Sequence, residues 1–210
     1  PQEAKGVGTL VTPWHVLTAA HSAHKLPAHH HILVAGRARQ IARVTLHPSW
    51  ATRTARPSRD AIHNLADLAV LELTEPVMDI TPLEPYGGES ETGEVATFVG
   101  RGRFGDGETG PRVADLTWRA ATNRVEAMVH DQWLLFRFDE PACATDLEGV
   151  GGTGDSGGPA LLRCDGAYLV AGIASWEDST LAPERGRYGT LKYYARVASA
   201  TTWLREVTKA

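Results

Sequence analysis

Cysteine is almost absent: the 210 residues contain two, Cys143 and Cys164. One bridge is permitted and none is required. No second cysteine pair or His-x-x-x-His set accompanies them at zinc-ligand spacing. No run approaches about 18 apolar residues, which excludes a membrane-spanning helix. Lysine is scarce too, only 4 of the 21 basic residues, and the net charge of -4 argues against a general nucleic-acid binder. The chain opens at Pro1 without a charged-then-apolar leader, so a signal peptide is expected to be absent or already removed.

What is present is turn chemistry. Twenty-one Gly and 12 Pro, with 42% hydrophobic and 22% charged residues, describe a compact, turn-rich β chain and exclude disorder and simple coiled coils. Charge is uneven: residues 1–60 carry 8 basic against 2 acidic side chains, whereas 61–210 carry 13 against 23. A solvated Arg-rich face accounts for that more simply than an acidic partner does.

Short β-like runs bounded by Gly, Pro, Ser or Asn predict strands at Gly6–Val11, Trp14–Ala19, His31–Ala35, Gln40–His47 and Leu68–Leu73. The Pro- and Gly-rich stretch 74–94 reads as a linker. A second set follows at Val95–Val99, Val113–Ala121, Trp133–Phe138, Pro159–Arg163, Ala167–Trp176 and Lys192–Val197. The tail, residues 198–209, places Trp203, Leu204 and Val207 on one face of a closing helix. The division is therefore an N-terminal barrel over 1–82 and a C-terminal barrel with its helix over 83–210. Five strands leave an open edge where six close a barrel. The first barrel is thus expected to lack its N-terminal strand, to be completed by a preceding segment or a second chain.

The sharpest chemical signal is Gly-Thr-Gly-Asp-Ser-Gly-Gly-Pro, residues 152–159. Glycines around Ser156 let the backbone turn sharply and let substrate approach closely. The amides of Gly154 and Ser156 would offer two donors to a developing oxyanion. A serine hydroxyl needs a base, and of nine histidines one stands at the end of an apolar strand with small residues before it, His21 in Thr18-Ala19-Ala20-His21. The base needs a carboxylate to hold its tautomer. Asp67 opens the apolar run Asp-Leu-Ala-Val-Leu-Glu-Leu and is preferred over Asp60, which has no strand to hold it. His21, His24, His29, His30 and His31 cluster within eleven residues, but no acid or cysteine lies among them. A solvated loop is the simpler reading, and no metal or other cofactor is assigned.

These motifs, in this order, resemble the chymotrypsin/trypsin family of serine endopeptidases, a bacterial-type member by its few cysteines. Thr-Ala-Ala-His, His-Pro-Ser-Trp at 47–50, the run from Asp67, Gly100-Arg101-Gly102, Gly-Asp-Ser-Gly-Gly-Pro, Gly-Ile-Ala-Ser-Trp at 172–176 and Tyr-Ala-Arg-Val at 194–197 carry the resemblance through most of the chain. The order His21, Asp67, Ser156 is also the family's. The resemblance implies an all-β fold of two antiparallel six-stranded β-barrels with a cleft between them. It further implies cleavage of peptide bonds through an acyl-enzyme, and protein or peptide substrates. An extracellular or periplasmic location follows from the same likeness.

Residue by residue, the resemblance makes Ser156 the nucleophile, His21 the general base and acid, and Asp67 the orienting carboxylate. Gly154 and Ser156 form the oxyanion hole, and Ser175 and Trp176 lie on the substrate-pairing strand. Asp155 is the acid that receives a new N-terminal amine on activation. The family's mature start is not seen before Val7, so Pro1 is a poor partner for it. The pocket floor falls on Val150, so the acid that would bind Arg or Lys is missing and cleavage after those residues is not expected. Glu177 replaces a usual glycine. The opposite wall is Lys192, or Gly189 under another gap placement; Lys192 would favour acidic substrates. Cys143 and Cys164 match halves of two different family bridges, leaving their pairing open. The rival reading is a catalytically silent or zymogen-like binding module on the same fold.

Overall fold

The computed structural model describes residues 5–27, 29–52, 65–180, 182 and 184–209. The chain begins with β1 (Thr9–Thr12) and β2 (His15–Thr18), then a single helical turn, α1 (Ala20–Ala23). After β3 (His31–Val34) and β4 (Arg37–Leu46) comes a second turn, α2 (Pro48–Ala51), and then β5 (Ala69–Leu73). These strands form one antiparallel sheet in the order β1-β2-β5-β4-β3. β5 holds the centre because four of its five residues are buried, Glu72 alone being partly exposed. Edge strand β3 alternates exposed and half-buried residues, as a strand with one wet face does. Among the described residues five strands stand here, in an open sheet.

The second half runs through β6 (Val95–Gly100), a hairpin of β7 (Phe104–Asp106) and β8 (Gly110–Val113), then β9 (Arg119–Val129) and β10 (Trp133–Arg137). β11 (Pro159–Cys164), β12 (Ala167–Asp178) and β13 (Leu191–Arg196) follow. Six of them close a barrel in the order β10-β13-β12-β11-β6-β9. A 3-10 turn (Ala198–Ala200) leads into α3 (Thr201–Val207), shorter than the predicted 198–209. Leu204 of α3 is buried, with Trp203 and Val207 packed partly against the core.

One predicted strand, Val113–Ala121, is two. Asp115 accepts hydrogen bonds from the Thr117 amide and from the Arg119 guanidinium, and Leu116 adopts φ 59°. That local turn competes with the sheet ladder and breaks it. The hairpin of β7 and β8 carried too few apolar residues to signal itself. The stretch 74–94 is tied at its middle to both halves: Leu83 N–H donates to Leu10 C=O at 2.9 Å, and Tyr86 N–H to Val170 C=O at 2.9 Å.

Three apolar clusters fill the molecule. Leu10, Val16, Ile41, Leu71 and Val77 serve the first sheet. Phe98, Leu134, Phe136 and Tyr194 fill the barrel. The third joins the two halves, because Leu17, Leu68 and Val70 of the sheet share it with Trp133, Ile173, Val197 and Leu204. That joint core holds the end of β2 and the start of β5 against the barrel, where the candidate site lies. Cys143, exposed, and Cys164 are both free thiols.

Candidate active site

The site begins with a helix too short to cap itself. α1 has Ala19 at its N-cap and no side-chain cap bond. Ala19, Ala20 and Ala23 are fully buried, and only such small side chains let this turn press into the core. The missing cap comes from the segment just before β5: Asp67 Oδ1 accepts from the His21 N–H at 2.8 Å. The same carboxylate takes the His21 ring, with Nδ1 and Oδ2 2.6 Å apart. Ser175 Oγ donates to Oδ2 as well.

Asp67 is therefore a buried carboxylate with three donors, at 1% exposure. Burying a charge is costly unless it is bonded, and this one is bonded on both oxygens. Because Nδ1–H is committed to Asp67, the neutral ring keeps its lone pair on Nε2. The His21 side chain is 32% exposed, so the ring is partly open to solvent. Trp50 stands beside it with ring centroids 6.4 Å apart. Asp60, the competing acid, lies outside the described residues, as does Pro1.

The Ser156 loop docks on the same strand end. Val7 N–H donates to Ser156 C=O at 2.8 Å, and Gly157 N–H donates to Ala174 C=O at 2.9 Å. Gly157 has φ +84°, and a Cβ there would stand 2.2 Å from Thr18 Oγ1 and 2.3 Å from Val7 O. Only glycine lets this loop close on β2, three residues before His21. The Asp155, Gly157 and Gly158 amides are used internally, on Gly152, Ala174 and Asp155 carbonyls. Among the described residues none accepts from the amides of Gly154 or Ser156.

Three backbone amides hold Asp155. Its Oδ1 accepts from the Arg101 and Gly102 amides at 2.8 and 2.7 Å, and its Oδ2 from the Gly152 amide at 2.8 Å. A cavity of about 220 Å³ opens beside it, bordered by Gly102, Phe104, Arg119, Val150 and Gly151. The resemblance located Asp155, but none of its three donors was foreseen, since amide direction has no residue-type signature.

On β12, Trp176 stacks flat on Tyr193, with centroids 3.8 Å apart. Glu177 lies opposite Lys192 in the β12–β13 register, whereas Gly189 precedes β13 and donates its amide to Phe138 C=O. The Glu177 carboxylate bonds both the Lys192 ammonium and the Arg185 guanidinium. Burial pushes the Glu177 carboxyl up, but Lys192 and Arg185 outweigh it and hold it below the ordinary carboxylate range. Two residues escaped the sequence reading. Ser175 was placed only on a substrate-pairing strand, yet its hydroxyl reaches Asp67, and Arg185 sits in a stretch without periodicity, where nothing marked it.

The structure thus brings His21, Asp67 and Ser175 into one bonded group and sets the Ser156 loop against the strand that carries it. Val150 borders the cavity beside Asp155, and Glu177 and Lys192 stand opposite each other on β12 and β13. The chain matches the trypsin family over residues 4–204. It is also 24% identical over 218 residues to a tryptase of Mus musculus, covering 89% of this chain and 74% of the relative. With a match along nearly its whole length, the chain belongs to the trypsin family, as a trypsin-like serine endopeptidase.

Proposed function

We propose that this endopeptidase works through Ser156, His21 and Asp67. Ser156 Oγ attacks the peptide carbonyl while His21 Nε2 takes its proton and passes it to the leaving amine. Water, deprotonated by the same ring, then releases the acyl group. Asp67 holds the tautomer and stabilises the imidazolium. The observation that carries this reading is the pair of Asp67–His21 hydrogen bonds, at 2.8 and 2.6 Å, beside the docked Ser156 loop. The spare amides of Gly154 and Ser156 support an oxyanion hole there.

Substrate backbone pairs along Ser175 and Trp176 as an added strand. With Val150 at the pocket floor, Arg and Lys are poor residues before the scissile bond, because their charge would meet no acid there. Asp155 is read as the acid that receives a new N-terminal amine, the adjoining cavity giving that amine a route. The open edge of the first sheet takes a sixth strand, from a preceding segment or a second chain. Among the described residues no helix is long and apolar enough to cross a membrane. The enzyme is placed outside the cell or in a periplasm, in keeping with the family.

Labelling with a fluorophosphonate probe, followed by peptide mass spectrometry, tests the reading. The adduct is expected on Ser156, and Ser156→Ala should lose both label and peptidase turnover while keeping its melting profile. Label elsewhere, or turnover that survives Ser156→Ala, would overturn the assignment. A folded sample that takes no label would show that this chain is not active by itself.

A further inference from the structure

Three residues beyond Ala174, whose carbonyl accepts the Gly157 amide beside Ser156, β12 carries Glu177 between two cations, and the inference drawn from this rests on the reading of Ser156 as the nucleophile. One carboxylate, Glu177, serves two cations: Oε2 meets the Lys192 ammonium and Oε1 the Arg185 guanidinium. The side chains of Glu177 and Lys192 are 10% and 12% exposed, whereas Arg185 is 76% exposed. Burial lowers the Lys192 pKa, and Glu177, its bonded partner, opposes this. Asp155 offers it little, since its oxygens already accept from three amides. Val150 brings no charge at all. The nearly buried Lys192 thus shares its one carboxylate with a guanidinium that stands 76% exposed and is solvated by water, so its own pairing is divided.

We propose that Lys192 selects substrates with an acidic side chain before the scissile bond, and that Glu177 occupies the place of that side chain in the free enzyme. When such a substrate enters, its carboxylate takes the Lys192 ammonium and Glu177 turns to Arg185, a partner it already holds. The exchange leaves two ion pairs where one carboxylate had been divided between two cations. No bond forms or breaks. A neutral isostere cannot complete the second pair, so glutamine should enter less well than glutamate. An arginine side chain would meet Lys192 head on, with Glu177 already bonded twice.

The test is binding rather than turnover, so that it stands apart from the catalytic assignment. Fluorescein-labelled peptides of one sequence, ending in Glu, Gln or Arg, share the same terminal carboxylate and differ only in the side chain offered to the pocket. Their anisotropy is measured on the Ser156→Ala chain. The Glu peptide is expected to bind about tenfold tighter than the Gln peptide, the worth of one half-buried charge pair. Lys192→Gln should bring that ratio to about one, and Lys192→Met should do the same if the amide variant melts early. If neither variant folds, the three peptides on the Ser156→Ala chain decide alone. Equal binding of Glu and Gln, or no binding of any of them, would overturn the proposal. Tightest binding of Arg would overturn it too, and would assign Glu177 as the charge of the pocket. Failure of fluorophosphonate labelling would instead count against Ser156 and leave these binding ratios intact.

Discussion

Ser175 donates its hydroxyl to the same Asp67 oxygen that holds the His21 ring. β12 of the barrel therefore reaches across to a residue two before β5 of the other sheet, and the carboxylate is fixed from both halves at once. Under the proposed mechanism Ser175 is a positioning residue, acting through Asp67 and His21.

Asp67→Asn should reduce kcat by about four orders of magnitude, because an amide can hold the imidazole in the wrong tautomer. Ser175→Ala removes one hydrogen bond to a charged acceptor, worth roughly 1.5–3 kcal/mol, and should lower kcat about ten- to a hundredfold. A merely structural role for Ser175 would move the melting point alone. The pH profile of kcat separates the two: the positioning role shifts its acidic limb, and rescue by Ser175→Thr should restore it.

Gly157→Ala tests the docking of the Ser156 loop. The new methyl would lie 2.2 Å from Thr18 Oγ1 and 2.3 Å from the Val7 carbonyl, on backbone at φ +84°. The cost should be about 3 kcal/mol or more, from strain and steric overlap together. Thermal melting would report the loss of stability, and fluorophosphonate labelling of the still-folded fraction should fall with it. Wild-type melting and labelling would mean that this loop is not held as described.

His15 and His47 make stability depend on pH. Burial lowers the pKa of each ring; for His15 Glu72 opposes this and Arg43 adds to it. His47 Nδ1 accepts from the Ser49 amide at 3.3 Å, a bond the protonated ring cannot accept, and the ring packs edge-on to Trp203 with centroids 4.9 Å apart. Between their folded pKa values and about 6.5, the unfolded chain binds more protons than the folded one, so stability falls as pH drops through that window. Wild type and His15→Gln/His47→Gln should therefore differ in how their melting temperatures respond between pH 7.5 and 5, the variant falling less. Parallel curves would count against both rings.

Much of this molecule is written locally. Gly-Asp-Ser-Gly-Gly-Pro, Thr-Ala-Ala-His and the run from Asp67 each bear their chemistry within a few residues, since sharp turns and small side chains are local requirements. The strand centres were equally legible, because Val70, Ile173 and their neighbours sit in short apolar runs closed by turn residues. Where a side-chain bond outcompetes the ladder, as at Asp115, the pattern misleads and one strand becomes two.

By itself the sequence determined an all-β chain, a glycine-shaped loop around the candidate nucleophile, and the candidate base and acid. Only the tertiary structure decided what those groups touch. The Ser175 hydroxyl meets Asp67 across 108 residues, Arg185 joins Glu177 and Lys192, and three amides converge on Asp155. The reason is physical: hydrophobic period and turn chemistry are short-range and leave a trace in residue order. The direction of an amide, and the sharing of one buried carboxylate, arise only when distant strands close on a common core.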